Sequence, residues 1–266
     1  MSKRSIDALE GFVVITGASS GIGLELARRA GEDGVSLLLV ADRDLSEGEA
    51  AAKAAGAKEV ETLVCNLATD AGVEQVVAAI GSRPVSALFA NAGQGLGHAF
   101  LEQDWEEARK VIDTNVVGTA HLIHAVGRQM RARDEGRILV TGSIAGHMPG
   151  SFQLVYNSTK AFINNFCIGL ANELKETNVV VTCLEPGPTD TEFFERAGLM
   201  DTNAGQSDKA DPVKVAHDGY KAMLAGDDDI VSGFMNKVQA VFGDILPNDM
   251  VAQMHRKFAK PKHGGS

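Results

Sequence analysis

Short apolar runs alternate with longer amphipathic stretches along the 266 residues of the chain. Runs rich in branched apolar residues predict buried strands: Phe12–Thr16, Ser36–Val40, Glu61–Cys65, Ala87–Ala90, Arg137–Thr141, Val179–Leu184 and, more weakly because it begins in three aspartates, Asp229–Ser232. Helical spacing lies between them, at Gly21–Gly31, Glu47–Ala55, Asp70–Ile80, Trp105–Arg133 and Val155–Thr177. This alternation predicts one α/β domain, residues 1–266, with a doubly wound, seven-stranded parallel sheet and helices on both faces.

Two later stretches depart from the alternation. The region Pro186–Asp211 is rich in Gly, Asp, Thr and Asn, and it is either a mobile substrate lid, about 187–211, or an ordinary surface excursion. The stretch Phe234–Phe258 predicts a helical extension with breaks at Gly243 and Pro247. It is placed to cover a substrate pocket or a neighbouring subunit, and a membrane surface is the weaker option. The tail Lys257–Ser266 is expected to be frayed.

Composition and charge narrow the class of partner. The net charge is −10, which disfavours nucleic acid and anionic lipid as partners. The first residues lack the apolar core of a signal peptide, and no run reaches the roughly 18 apolar residues that a membrane span needs. Three cysteines, Cys65, Cys167 and Cys183, follow no metal-ligand spacing and predict reduced, buried thiols. We therefore expect a cytoplasmic protein with a small-molecule partner and no metal.

A glycine-rich turn follows the first predicted strand. Gly17, Gly21 and Gly23 lie between that strand and a predicted helix, which is the order that dinucleotide binding requires. Gly17 would permit a tight turn, Gly21 a close approach of backbone to a pyrophosphate, and Gly23 close packing of helix on sheet. The helix amino terminus would then supply unpaired N–H groups to the phosphates. This turn predicts a nucleotide cofactor.

The end of the second strand bears on which nucleotide binds. Asp42 follows this strand about 20 residues after the last glycine of the turn, where a carboxylate accepts hydrogen bonds from the ribose hydroxyls of NAD and repels the 2′-phosphate of NADP. Arg43 weakens the argument, because its guanidinium can pair with that phosphate. The sequence favours NAD, and NADP stays possible.

A tyrosine and a lysine share one face of the helix predicted after the fifth strand. Tyr156 and Lys160 are four residues apart, so their side chains are within reach of one another. A neighbouring ammonium and a positive nicotinamide would both lower the tyrosine pKa from its usual value near 10. Ser143 follows the fifth strand, where its hydroxyl can bind the substrate oxygen while Tyr156 moves a proton. These three residues predict acid/base catalysis at a carbonyl or carbinol carbon.

The chain resembles the short-chain dehydrogenase/reductase family over nearly its whole length, and the run from Pro186 to Phe194 looks like a bacterial branch of general reductases. The matching pieces are Thr16–Gly23, Ala90–Gly93, Asn115, Ser143, Tyr156, Lys160 and Pro186–Gly187. The resemblance implies a Rossmann fold and the catalytic residues Asn115, Ser143, Tyr156 and Lys160, with Asn115 holding a water of the proton relay. It and the motifs together give the cofactor-binding residues Gly17, Ser19, Ser20, Gly21, Ile22, Gly23, Asp42, Arg43, Asn66, Leu67, Asn91, Ala92, Gly93, Tyr156, Lys160, Pro186, Gly187, Thr189 and Thr191.

Two positions depart from the family pattern. Asn66 stands where many relatives have an aspartate against the adenine, and an amide can still donate and accept there. Ala90 replaces a commoner asparagine, which alters packing rather than chemistry. Read without the resemblance, Asn115 is a polar residue on an apolar helix face, which can cap a distorted turn.

The expected reaction is hydride transfer between NAD(H) and a secondary alcohol or ketone. The candidate substrate pocket is mostly apolar and predicts a hydrophobic or aromatic substrate; its residues are Gln94, Leu96, Ala145, His147, Met148, Phe152 and Phe193. For His147, an exposed loop position is favoured over a contact with substrate. The alternatives are an NADPH-dependent carbonyl reductase and a nicotinamide-binding sensor or scaffold without turnover. The resemblance also implies a homodimer or homotetramer through the long helices Trp105–Arg133 and Val155–Thr177.

Overall fold

A seven-stranded parallel sheet crosses the centre of the protein in a computed structural model that describes residues 5–233, 236 and 246–263. The strands are β1 (Phe12–Thr16), β2 (Ser36–Ala41), β3 (Glu59–Val64), β4 (Val85–Ala90), β5 (Gly136–Thr141), β6 (Val179–Glu185) and β7 (Asp229–Val231). Their order across the sheet is β3-β2-β1-β4-β5-β6-β7, with every neighbouring pair parallel. The predicted doubly wound Rossmann fold is therefore confirmed.

Helices cover both faces of the sheet. They are α1 (Gly21–Glu32), α2 (Ser46–Ala55), α3 (Asp70–Ile80), α4 (Trp105–Ile112), α5 (Thr119–Arg133), α6 (Leu154–Glu173), α7 (Phe193–Arg196), α8 (Asn203–Gln206), α9 (Pro212–Ala225) and α10 (Asn248–Ala259). One apolar core joins α3, α5 and α6 to the sheet and the other joins α1 and α9 to its opposite face. Because the inner strands β1, β2, β4, β5 and β6 are buried on both faces, their sequences are mostly continuous apolar runs, whereas the edge strands β3 and β7 are partly exposed.

The sequence missed helix α9, although its boundaries carry clear signals. The side chain of Asp211 caps the helix by accepting a hydrogen bond from the Val213 amide, and Pro212 occupies the first turn. Gly226 ends the helix in the left-handed conformation. An aspartate, a proline in the first turn and a terminal glycine form a recognised start and stop pattern. Helix α9 could therefore have been predicted from this pattern. The irregular composition of the region just before the helix drew attention away from the pattern.

The long predicted helix Trp105–Arg133 is divided in the structure. A π-helical turn, Asp113–Gly118, separates α4 from α5. Turns of this kind widen a helix locally and occur often at functional sites. Strands β3 and β4 each begin two residues earlier than predicted, a displacement ordinary for element boundaries.

The region after β6 is more ordered than its composition indicated. It contains the short helices α7 and α8, and their apolar side chains form a small separate core of Phe194, Ala197, Leu199 and Ala204, against which Phe258 of α10 packs. The expectation of a frayed tail is wrong as far as residue 263. The backbone N–H groups of Lys262 and His263 bond to Asp201, at 2.9 and 2.8 Å. We call residues 187–211 the lid.

Two further expectations concern the cysteines and membrane-spanning segments. Cys65, Cys167 and Cys183 are free and buried, as the sequence indicated. Among the described residues, no helix has the length and hydropathy that a membrane crossing requires. Most of the C-terminal stretch before α10, residues 234–235 and 237–245, lies outside the described part of the chain.

Candidate active site

A cavity of about 1150 Å³ opens at the carboxyl ends of the strands. It lies where the sheet order reverses, between β1 and β4, which is where ligands bind in doubly wound sheets. A pocket for one drug-sized molecule is usually about 300–1,000 Å³. The cavity is therefore large enough for more than one small ligand, as a cofactor and a substrate together require.

The glycine turn forms one wall of this cavity. Gly17 and Gly21 have positive φ angles, +68° and +57°, which glycine adopts without the steric cost that other residues meet. A Cβ on Gly23 would lie 2.1 Å from the carbonyl oxygen of Gly17, so only glycine allows this close packing. No acidic residue lies in the first turn of α1. Its free N–H groups and helix dipole therefore remain suited to an anion.

Asp42 and Arg43 line the cavity beyond the end of β2. The Asp42 carboxylate pairs with the Arg43 guanidinium, with Nε–Oδ1 at 2.7 Å. Burial opposes ionisation of Asp42, but the hydrogen bond and charge of Arg43, together with the charge of Lys110, lower its pKa. Arg196 of the lid also interacts with this pair electrostatically. We call this part of the cavity the Asp42 end.

Tyr156, Ser143 and Lys160 come together on the other side of the turn. The Ser143 hydroxyl follows β5, and it shares a hydrogen bond with the Tyr156 hydroxyl at the start of α6. Lys160 Nζ lies 5.8 Å from the Tyr156 ring centroid and donates to the Thr141 carbonyl at 2.7 Å. The Phe193 ring of the lid packs on Tyr156, with centroids 4.9 Å apart. A substrate oxygen placed here would meet two hydroxyl groups.

Burial shifts the pKa of both ionisable groups toward the neutral form. It raises the pKa of Tyr156 to about 12, although the Ser143 hydrogen bond acts in the opposite direction. It lowers the pKa of Lys160 to about 8, although electrostatic interactions with Cys183 and Cys167 act in the opposite direction. The sequence-based expectation that Lys160 lowers the Tyr156 pKa is therefore not met in the chain without its cofactor. The positive charge of a bound nicotinamide acts in the direction needed.

Asn115 does not line the cavity but positions residues that do. Its Oδ1 accepts from the Gln94 amide at 2.8 Å, and its Nδ2 donates to the Gln94 carbonyl at 2.8 Å. The same Nδ2 donates to Thr159 Oγ1 at 3.0 Å. Asn115 thus joins the loop after β4 to helix α6 from within the π-helical turn. This arrangement explains why a polar residue lies on an apolar helix face.

The structure gathers most of the predicted site residues around one cavity. All of the predicted residues line it except four: Gly23, Asn115, His147 and Phe152. Leu96 and Met148 line it as well. Gly23 and Asn115 support the wall from behind, as described above.

His147 and Phe152 are corrections to the predicted substrate pocket. The His147 ring lies against the buried Glu185 carboxylate, with Nε2–Oε2 at 2.6 Å, outside the cavity lining. Phe152 has a left-handed backbone with φ of +65°, and its ring packs beneath the Arg256 guanidinium, 5.1 Å away. That backbone turn directs Phe152 away from the cavity, and the next residue, Gln153, lines it instead.

Sequence reasoning missed several lining residues, and four of them lie on α10. Besides Gln153, the missed residues at this side include Asn236, Leu246, Val251, Met254, His255 and Phe258. His255 is fixed between the Ser151 carbonyl, 2.9 Å from Nδ1, and the Asn157 amide, 3.2 Å from Nε2. The spacing of Val251, Met254 and Phe258 marks one helix face, but nothing in it indicates which surface that face covers. We call this part of the cavity the α10 end.

Comparison with known proteins agrees with this geometry. The family model described as short chain dehydrogenase matches residues 11–201. An uncharacterized oxidoreductase of Staphylococcus saprophyticus is 30% identical over 222 residues, covering 82% of this chain and 93% of the relative. Human 17-beta-hydroxysteroid dehydrogenase type 1 is 36% identical over 191 residues, covering 69% of this chain and 58% of the relative.

A solved structure extends the similarity to three dimensions. The short-chain dehydrogenase from Sphingobium yanoikuyae in complex with NADPH is 27% identical, with a TM-score of 0.77, and covers 88% of this chain and 92% of that one. Fold and cavity thus define a nucleotide-dependent α/β oxidoreductase. The chain belongs to the short-chain dehydrogenase/reductase family. The residues of its glycine turn fit an NAD(P) molecule, since Gly17 and Gly21 line the cavity with a left-handed backbone that brings the amino terminus of α1 to its wall.

Proposed function

We propose that this protein transfers hydride between NAD(H) and a secondary alcohol or ketone, with Tyr156 as its acid/base. The observation that carries the proposal is that Ser143, Tyr156 and Lys160 line the same cavity, with Lys160 Nζ 5.8 Å from the centroid of the Tyr156 ring. A protein that only bound a nucleotide would need no such pair of hydroxyls. The same observation disfavours a sensor or scaffold without turnover.

The chain's own residues account for the proton and the substrate oxygen. In the direction of oxidation, the Tyr156 phenolate removes the hydroxyl proton while the Ser143 hydroxyl donates a hydrogen bond to the substrate oxygen. In reduction, Tyr156 returns a proton to that oxygen. The chemistry that a bound nicotinamide supplies is the acceptance or donation of hydride. Asn115 acts as a positioning residue through Gln94 and Thr159.

Asp42 supports NAD as the cofactor. It lines the cavity at the end of β2 and is held ionised, so it can accept both ribose hydroxyls. The alternative, an NADPH-dependent carbonyl reductase, is favoured by Arg43 and Arg196, two guanidinium groups that line the same end. The Sphingobium relative, which was solved in complex with NADPH, also keeps this alternative open.

The α10 end supports a hydrophobic substrate. Its lining is dominated by apolar side chains, among them Leu96, Met148, Phe193, Val251 and Phe258. Burial of apolar substrate surface against such a lining contributes about 25 cal/mol per Å². The human relative is named for a hydroxysteroid, which is a largely apolar alcohol. We infer a hydrophobic or aromatic ketone or alcohol.

The two tyrosines of the chain provide a matched test. Tyr156→Phe is expected to lower kcat by about 10²–10⁴-fold, because the acid/base is removed, while the dissociation constant for NADH stays within about threefold of wild type. Tyr220→Phe removes a buried hydroxyl that bonds Asp33, far from the cavity lining, and should cost stability but not kcat. Steady-state kinetics and cofactor fluorescence measure both. Wild-type turnover in Tyr156→Phe would overturn the proposal.

We also propose a cytoplasmic location and a homo-oligomer. The three free, buried thiols suit a reducing compartment. Phe162 and Ile168 on α6 and Val117 beside α5 are large apolar side chains exposed on the surface, as an interface between copies requires. Light scattering of the purified chain tests the assembly, and a monomer at micromolar concentration would contradict it.

A further inference from the structure

A buried amide without a partner lies at the α10 end of the cavity. Gln153 is only 5% exposed and lines the cavity. Among the described residues, no hydrogen bond reaches its side chain, and its backbone cap of α6 does not use that side chain. Neither amide atom is sealed from the cavity in the way that the Asn157 Oδ1 atom is sealed. Buried polar side chains are normally hydrogen-bonded, so this amide is available to a ligand.

The position of Gln153 relates it to the reacting atoms. It precedes Tyr156 by three residues at the start of α6, and residues so spaced have Cβ atoms about 5–6 Å apart. An amide there can donate to, or accept from, a second oxygen of a substrate whose carbonyl lies at Tyr156 and Ser143. The left-handed turn at Phe152 presents Gln153 to the cavity.

The charges around the cavity indicate whether the second substrate oxygen is neutral or belongs to an anionic group. In the described part of the chain, the lining contains four lysine or arginine residues: Arg43, Lys110, Lys160 and Arg196. Three of them interact with Asp42 or its partner at the Asp42 end, and Lys160 bonds to Thr141. No further described cation therefore lines the α10 end to bind a carboxylate or sulfonate.

His255 does not supply a positive charge either. Its Nδ1 faces the Ser151 carbonyl and its Nε2 faces the Asn157 amide nitrogen, an arrangement that fits a neutral ring protonated at Nδ1. Burial also lowers the pKa of His255. The described residues would thus offer no counter-charge to an anionic substrate group that is desolvated here, which is unfavourable.

We propose that Gln153 anchors the substrate and that the substrate is a neutral, largely apolar ketone or alcohol with a second hydrogen-bonding oxygen. This inference rests on the proposed hydride transfer at Tyr156. The apolar lining of α10 holds the carbon skeleton, and the Gln153 amide fixes its orientation. Gln153 is therefore a specificity residue for the reaction rather than an acid or base.

A pair of matched ketones tests this assignment in the full-length protein with bound cofactor. The probes are 1-decalone and decalin-1,5-dione, which share a carbon skeleton and differ in the second oxygen. The measured quantity is the ratio of kcat/KM for dione to that for ketone, because intrinsic reactivity cancels when variants are compared. Gln153→Leu is expected to lower this ratio about fivefold to tenfold, the usual effect of one hydrogen bond. Gln253→Leu, an exposed residue of α10 outside the lining, should leave the ratio unchanged.

A second variant keeps the test independent of any loss in folding. Gln153→Lys places an ammonium at the α10 end. The ratio of kcat/KM for the corresponding keto carboxylate, in which a carboxylate replaces the second ketone of the dione, to that for 1-decalone should rise at least tenfold. Where turnover is too slow to follow, dissociation constants of the same compounds for the cofactor-bound protein give the same ratios.

The outcomes separate the two proposals. An unchanged ratio in Gln153→Leu, or no preference of the wild type for the dione, overturns the role of Gln153 and leaves hydride transfer intact. A wild type that prefers the keto carboxylate overturns the neutral substrate class. Wild-type turnover in Tyr156→Phe would instead remove the catalytic proposal on which the Gln153 assignment rests.

Discussion

The two ends of the cavity are built in different ways. At the Asp42 end, most lining residues follow directly after strands β1, β2 and β3, with Lys110 of α4 and Arg196 of the lid beside them. The turns after the strands are bonded to the sheet; the Gly17 amide, for example, donates to the Val40 carbonyl at 2.7 Å. At the α10 end, the described lining residues come from segments far apart in sequence, among them Leu96, Met148, Gln153, Phe193, Asn236, Leu246, Val251 and Phe258. One end continues the sheet, and the other is assembled on top of it.

Because of this difference in construction, the two ends of the cavity are expected to differ in local stability. The Asp42 end rests on the two large apolar cores of the sheet. The α10 end has its own small core in the lid, shared with Phe258, and contacts such as the Asn203 amide to the Lys257 carbonyl at 2.9 Å. Small peripheral clusters open more readily than central strands. Substitutions at the α10 end can therefore change the substrate while the cofactor site stays intact, and each prediction below probes this independence.

The largest effect is expected from Gly23→Ala. The added Cβ meets the Gly17 carbonyl at 2.1 Å, so the turn must move, at a cost of about 1–3 kcal/mol in the free energy of unfolding, and NADH affinity should fall at least 100-fold. Gly169→Ala is the control, because a Cβ there meets nothing within 4 Å and alanine favours a helix. Urea unfolding and cofactor titration measure both. Normal NADH binding by Gly23→Ala would show that the turn does not hold the cofactor.

A pH effect on stability is expected where the two ends meet, at Lys160. Burial lowers its pKa from 10.5 to about 8, so between these values the unfolded chain binds a proton that the folded chain does not. The free energy of unfolding therefore rises with pH across this window, by at most about 3 kcal/mol. Below pH 8 the burial cost is fully present in the folded chain.

The comparison of wild type with Lys160→Met isolates this effect. In cofactor-free urea unfolding, the stability of wild type relative to the variant should be flat below pH 8 and increase from pH 8 to pH 10. Above pH 10 the raised pKa of Tyr156 lowers the stability of both chains, because the folded chain then retains a proton that the unfolded chain loses, and this contribution cancels in the difference. A difference that does not change between pH 8 and 10 would mean that Lys160 is solvated.

Cofactor choice is expected to change by about tenfold to a hundredfold on Asp42→Ala. Loss of the carboxylate should weaken NADH and free Arg43 for a 2′-phosphate, so the ratio of dissociation constants shifts toward NADPH. Asp44→Ala makes the same change of charge outside the cavity lining and should leave the ratio near that of wild type. Fluorescence titration with both nucleotides decides the matter. A wild type that already prefers NADPH would show that Arg43 prevails over Asp42.

The smallest effect is expected at the α10 end. Phe258→Ala removes a ring shared by the cavity and the lid core, and KM for a bulky apolar ketone should rise by up to about tenfold from lost apolar contact. The dissociation constant for NADH should stay within about twofold. Met250→Ala changes an exposed residue of the same helix, outside the lining, and serves as the control. A large loss of NADH affinity in Phe258→Ala would show that the two ends are coupled.

Local sequence signals account for what could be predicted. Gly17, Gly21 and Gly23 act through backbone geometry within one turn, and Tyr156 and Lys160 through helical spacing, so their sequence separation alone indicates their arrangement. The same reasoning failed at Phe152 and Gln153, which are adjacent in sequence but face different ways. Their residue types do not predict the left-handed backbone at Phe152. Gln153, and not Phe152, therefore lines the cavity.

The sequence by itself determined the seven strands, most of the helices between them, the nucleotide turn and the candidate acid/base, because each depends on contacts over a few residues. Only the tertiary structure decided which segments enclose the substrate. His255 meets Asn157 across 98 residues, and the tail meets Asp201 across about 60. Such contacts depend on how separate helices pack rather than on local propensity. The α10 end of the cavity could therefore be identified only from the structure, in which α10 packs against α6 and the lid.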